Sequence, residues 1–86
     1  NPFYPEKGEI LKIENTSAVS MPKGNTECRI YSANGNPVAV LQKDIYRQFH
    51  WNGINDAGKK CSSGFYFYIV GTADGQIAKG KFALIR

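Results

Sequence analysis

The chain is 86 residues long, 42% hydrophobic and 13% aromatic, which argues against disorder and bounds it to one small domain near the size where core burial is marginal. Its net charge of +4 comes from 11 basic and 7 acidic residues that are scattered, Lys59-Lys60 being the closest pair. Without a basic stripe interleaved with aromatics, nucleic acid is not an expected partner, and the longest apolar run, Phe65 to Val70, is far short of the ~20 residues of a membrane helix.

The chain opens at Asn1 with neither an initiator Met nor the basic and apolar regions of a signal peptide, so it is expected to be a piece of a larger protein. Asn1 to Gly8 carries two prolines and a glycine, which rules out a helix or a central strand; Phe3 and Tyr4 are its apolar anchors, suited to docking along a sheet edge. Glu9 to Glu14 alternates, with Leu11 and Ile13 on one face and Lys12 and Glu14 on the other, the period of a half-buried strand. Asn15 to Asn25 is a polar linker holding Pro22 and Gly24, in which Val19 and Met21 are the residues suited to a brief pairing.

Thr26 to Ala33 alternates again, placing Cys28, Ile30 and Ser32 on one face and Glu27, Arg29 and Tyr31 on the other. Asn34-Gly35 is a hairpin signal because both residues tolerate positive φ, and Pro37 stands at the start of the returning strand, Val38 to Leu41. Ile45 to Trp51 is the next strand, with Phe49 and Trp51 inward. A loop dense in Asn, Asp and Gly follows, and Gly64 opens the aromatic strand Phe65 to Thr72. Ala73-Asp74-Gly75 reads as a second hairpin turn, and the last strand runs from about Gln76 to Ile85.

No segment repeats apolar residues at helical spacing over three turns, there is no internal repeat, and turn signals recur about every ten residues. The expected fold is all-β: one antiparallel sandwich of about seven strands, Ig-like or fibronectin-III-like, spanning residues 1–86.

The stretches IYSANGNPVAVL and WNGINDAGKKCSSGFYFYIV carry a family resemblance. They resemble the Ig-like domain first described in the flagellar hook-capping protein, a module also found at the C-termini of many secreted bacterial proteins. The matching positions are Ile30, Tyr31, Gly35, Val38, Trp51, Gly53, Asp56, Gly58, Cys61, Ser63, Gly64, Tyr66 and Tyr68. Asn1-Pro2-Phe3 with Pro5, and Lys81 to Ile85, resemble the two ends of type IX secretion sorting domains. Three features depart from the family: Asn52 stands in the place of an Asp, Cys28 and Cys61 stand in aliphatic positions, and the linker from Asn15 to Asn25 is more polar.

The resemblance sets Cys61 at the inward end of the central loop, as alternation sets Cys28 inward on its strand. Two readings stay open, a pair of buried free thiols or one disulfide between the sheets. A metal site is not expected from two isolated cysteines and the lone His50. The loop containing Trp51, Gly53, Asp56 and Gly58 and closing on Gly64 lacks the carboxylates of a calcium loop, and Asx turns bracing a hairpin account for it better. Ser62-Ser63-Gly64 has no nearby His-and-acid pair, His50 points outward, and the seven carboxylates form no acid–base pair by spacing, so neither an enzyme nor a cofactor is expected.

The family match puts Tyr66 and Tyr68 in the core, which leaves Phe65, Phe67 and Ile69 on a face that a lone sandwich exposes. Such a patch marks a contact surface unless Phe3, Tyr4 and the N-terminal segment fold across it. Phe3, Tyr4 and the last strand are further contact candidates. The resemblance implies a non-catalytic C-terminal accessory module of a secreted or surface-bound bacterial protein, serving in sorting, surface attachment or packing. Its partners are then the secretion or surface machinery, or a neighbouring domain of the same parent. Two rival classes are a subunit of an extracellular filament or appendage, and a carbohydrate-binding module using Phe65, Phe67 and Tyr31, the latter unsupported beyond those aromatics.

Overall fold

A computed structural model describes residues 2–13, 26–43, 48–72, 75 and 77–86. Seven strands occupy them: β1 (Pro2–Phe3), β2 (Leu11–Ile13), β3 (Thr26–Ser32), β4 (Pro37–Gln42), β5 (Phe49–Trp51), β6 (Gly64–Thr72) and β7 (Ile77–Leu84). A single 3-10 turn, Pro5–Lys7, follows β1. Five strands form one sheet in the order β1-β7-β6-β3-β4, and β2 pairs with β5 in a second. The expected all-β architecture of two layers is therefore present.

Three local expectations are corrected. The sheet is mixed, because β1 runs parallel to β7, pairing Pro2 with Ala83 and Phe3 with Leu84. Proline lacks an N–H and suits the first position of an edge strand, so the segment attaches through few main-chain bonds, among them Ile85 N–H to Phe3 O at 2.9 Å. The strand expected from Glu9 begins at Leu11, with Ile10 left exposed before it. The loop from Trp51 to Gly64 is no hairpin: β5 and β6 belong to different sheets, so the loop carries the chain from one layer to the other.

Residues 14–25, 44–47, 73, 74 and 76 lie outside the described residues, and with them the linker, the first part of the strand expected from Ile45, and most of the second hairpin turn. The first hairpin is fully described. Gly35 takes φ 88° and donates to Ser32 O, while Ser32 N–H reaches Asn36 O, both at 2.9 Å.

The core fills the gap between the sheets, and alternation decides its members. Cys28 and Ile30 of β3, Ala39 of β4, Tyr66 and Val70 of β6, and Ala78, Phe82 and Leu84 of β7 point inward. They meet Ile13 of β2 and Phe49 and Trp51 of β5. At one end Trp51 is the hub of an aromatic cluster, with ring centroids 5.7 Å from both Tyr66 and Phe82 and 6.1 Å from Phe3. These contacts, edge-to-face with Tyr66 and Phe82 and tilted with Phe3, join four strands drawn from both sheets. Near Tyr68 the inner face is so tight that a Cβ on its cross-strand partner Gly80 would lie 2.5 Å from the tyrosine ring.

Candidate functional site

The loop from Asn52 to Ser63 is rigid for reasons readable in its side chains. Asn52 Oδ1 accepts from Ile54 N–H, and Asn55 Oδ1 accepts from the N–H groups of both Ala57 and Lys59. Gly53 and Gly58 take φ 84° and 82°, and Trp51 Nε1–H donates to Ile54 O at 3.0 Å. Asp56 reaches across to the outer edge of β4: its N–H donates to Val38 O, and its carboxylate accepts from Val40 N–H, both at 3.1 Å. The oxygens that a calcium reading would use are thus turned toward main-chain donors. Gly64, at φ 159°, is extended backbone at the head of β6 and asks nothing special of glycine.

The two ends of the chain are clasped onto this loop by Arg86. Its guanidinium donates to Gly53 O at 2.9 Å, to Cys61 O and to the Glu6 carboxylate on the 3-10 turn, while its N–H donates to Ser63 Oγ at 2.9 Å. The side chain is only 19% exposed. The Arg86 hydrogen bond, and then the charge of Lys60, hold the Glu6 carboxyl below its usual range. Nothing in the sequence pattern singled out Arg86, because its partners lie 23 to 80 residues away.

Both cysteines are free. Cys28 sits beside Val70 in the sheet, whereas Cys61 lies by the Tyr66 hydroxyl, four positions away along β6. At ~3.3 Å per residue that is about 13 Å of strand, where a disulfide needs Cβ atoms about 4 Å apart. The disulfide reading is therefore replaced by two buried thiols. Burial pushes the Cys28 thiol up to about 12, and it raises Cys61 as well.

The aromatic strand splits cleanly. Tyr66 is buried, its hydroxyl donating to Ser62 O at 2.7 Å, and Tyr68 is half-buried against the core. Phe65, Phe67 and Ile69 are 58%, 38% and 36% exposed on the outer face of the large sheet. The N-terminal segment does not cover them. Phe3 is 3% exposed inside the aromatic cluster, which removes it from the candidate contact residues. Tyr4 is half-buried with the Lys7 ammonium 4.7 Å from its ring centre. On the outer face Tyr31 and Lys81 flank Phe67, while Arg29 and Lys79 flank Ile69. Arg29 is paired with Glu27 at 2.6 Å, and the Lys81 ammonium stands 5.3 Å from the Phe65 ring centre.

Two features of chemical interest are therefore brought together by the fold, a clasp joining the chain ends to the interlayer loop and an open apolar stripe edged by cations. His50, outward on β5, stands apart from both, and no group of three metal-ligating side chains occurs among the described residues. Among the described residues no helix is long and apolar enough to cross a membrane.

The fold is that of a small two-layer β module. The chain belongs to the family described as the CHU_C type IX secretion signal domain, whose model matches residues 2–84. Domains of this family are non-catalytic C-terminal sorting modules, and the protein carrying this one is secreted or at the cell surface. The fold is also that of a solved structure of PorZ, described as an essential bacterial surface component of the type IX secretion system of Porphyromonas gingivalis. The TM-score is 0.72 at 20% identity, covering 100% of this chain and 11% of that protein. A search of curated proteins returns no match. Of the resemblance drawn from the sequence, the sorting-domain part is shown, and the hook-capping part receives no support from the family match.

Proposed function

We propose that residues 1–86 form the single C-terminal domain that directs its parent through type IX export, and that the machinery reads the folded module on the outer face of the large sheet. The observation that carries this reading is the stripe of Phe65, Phe67 and Ile69, left open to water although the N-terminal segment lies at hand to cover it. A monomeric domain gains nothing from exposing two phenylalanines and an isoleucine side by side, and contiguous apolar patches mark contact surfaces. The loop of Trp51, Gly53, Asp56, Gly58 and Gly64 serves this face indirectly, by fixing where β6 begins. The domain contributes binding and no catalysis of its own.

The test is export. The chain is fused to the C-terminus of a periplasm-directed reporter in a bacterium with an active type IX system, and reporter is measured in medium, cell surface and periplasm. Reporter outside the cell with wild type, and in the periplasm with Phe67→Glu at unchanged melting temperature, supports the reading. Reporter retained with the wild-type fusion, or simple unfolding of Phe67→Glu, counts against it. Intact mass of cell-associated and released parent then shows whether the domain is removed on export.

Two further readings rest on less. One is assembly into an extracellular appendage, for which concentration-dependent light scattering is the assay. The other is carbohydrate binding through the exposed rings of Phe65 and Phe67, tested by pull-down on insoluble polysaccharides.

A further inference from the structure

We infer that the partner docking on the outer face of the large sheet is an acidic protein surface of the secretion machinery, with Phe65, Phe67 and Ile69 as the apolar seat and Lys79 and Lys81 as the charged edge. The inference rests on the sorting reading above and adds the chemistry of the partner.

Cross-strand neighbours share a face of a sheet, so the register fixes what surrounds the stripe. On the β3 side Tyr31 pairs with Phe67 and Arg29 with Ile69, and Glu27 neutralises Arg29 at 2.6 Å. On the β7 side Lys81 pairs with Phe67 and Lys79 with Ile69. Both lysines are exposed, and among the described residues no carboxylate pairs with either. The stripe is thus neutral along one flank and cationic along the other. That asymmetry fixes the orientation of a partner that brings apolar side chains to the stripe and carboxylates to the lysines, since rim charges set encounter rate and register.

The alternatives fit less well. A sugar ring stacks on an open aromatic face, but the most exposed ring, Phe65, already carries the Lys81 ammonium at 5.3 Å from its centre. A second copy of the chain, of net charge +4, offers among the described residues of this face only Glu27, already held by Arg29, to meet the lysines.

The experiment uses the 86-residue chain and purified outer-membrane type IX complexes held on a biosensor, alongside the export assay. Lys79→Glu/Lys81→Glu, Lys79→Gln/Lys81→Gln and Phe67→Ser are compared with wild type, with Lys59→Glu in the distant loop as control and melting curves to confirm folding. The expected result is that charge reversal weakens binding by about tenfold or more and flattens its salt dependence, with neutralisation in between. Phe67→Ser weakens binding at every salt concentration, Lys59→Glu binds as wild type, and export falls in the same order. Equal binding and export by wild type and the charge-reversed variant overturn the inference while leaving the sorting reading intact. So does a dimer lost in Phe67→Ser, or lysine-dependent binding to lipopolysaccharide vesicles in place of the complexes. A wild-type chain that neither binds nor exports overturns both.

Discussion

Replacing Arg86 with alanine tests whether the two chain ends are held by directional hydrogen bonds. The substitution removes the donors to Gly53 O and Cys61 O, both part-buried, and the partner of Glu6. Each carbonyl bond contributes on the order of 1 kcal/mol, so the two together are worth about 2 kcal/mol. Gly53 O keeps the Cys61 N–H at 2.9 Å, which holds the loss near that value. The Glu6 partner is fully exposed and adds little. For a domain this small, a loss of ~2 kcal/mol lowers the melting temperature by roughly 10 °C. Urea titrations of wild type, Arg86→Ala and Arg86→Lys separate the causes. Lysine keeps the charge but cannot fork to two carbonyls, so it should recover less than half of the loss. The Glu6 carboxyl is held low in the folded state, so its share of stability is present above its ordinary pKa of 4.5 and is lost as pH falls below that. The gap between wild type and Arg86→Ala therefore narrows in acid. A melting temperature unchanged in Arg86→Ala, or full rescue by lysine, would refute the clasp as a hydrogen-bonded device.

Three further outcomes follow from the same geometry. Gly80→Ala drives a methyl to within 2.5 Å of the Tyr68 ring and should cost about 1–3 kcal/mol; in a Tyr68→Leu background the same change should be near neutral, and additive effects in that cycle would sink the packing argument. Asp56→Ala removes the acceptor for Val40 N–H and should cost about 1 kcal/mol in urea, with the Val40 amide losing hydrogen-exchange protection ahead of its neighbours in β4. Thiol titration in denaturant without reductant should find both cysteines, while in the folded chain at pH 8 Cys28 stays unlabelled, because burial holds its thiol near 12; recovery of no thiol would restore the disulfide.

Local order was legible in the sequence because it is written locally. Alternation at Thr26 to Ser32, the aromatic and β-branched run from Phe65 to Val70, and Asn34-Gly35 at φ 88° for the glycine specify strands and turn without reference to the rest of the chain. The same alternation set Cys28 inward on β3. Period two divides a strand into two faces but does not say which face is covered. Phe3 and Phe65 both stood as contact candidates, yet one is 3% and the other 58% exposed, because β1 enters the sheet edge beside Leu84 and leaves β6 bare. Tertiary structure alone decided that β5 and β6 lie in different layers, that β1 runs parallel to β7, and that Cys28 sits beside Val70 while Cys61 lies by the Tyr66 hydroxyl, four positions away along β6. It alone also set Lys79 and Lys81 beside the apolar stripe and Arg86 against Glu6. These are pairings between residues up to 80 positions apart, chosen by the closure of the whole sandwich, and no local pattern encodes them.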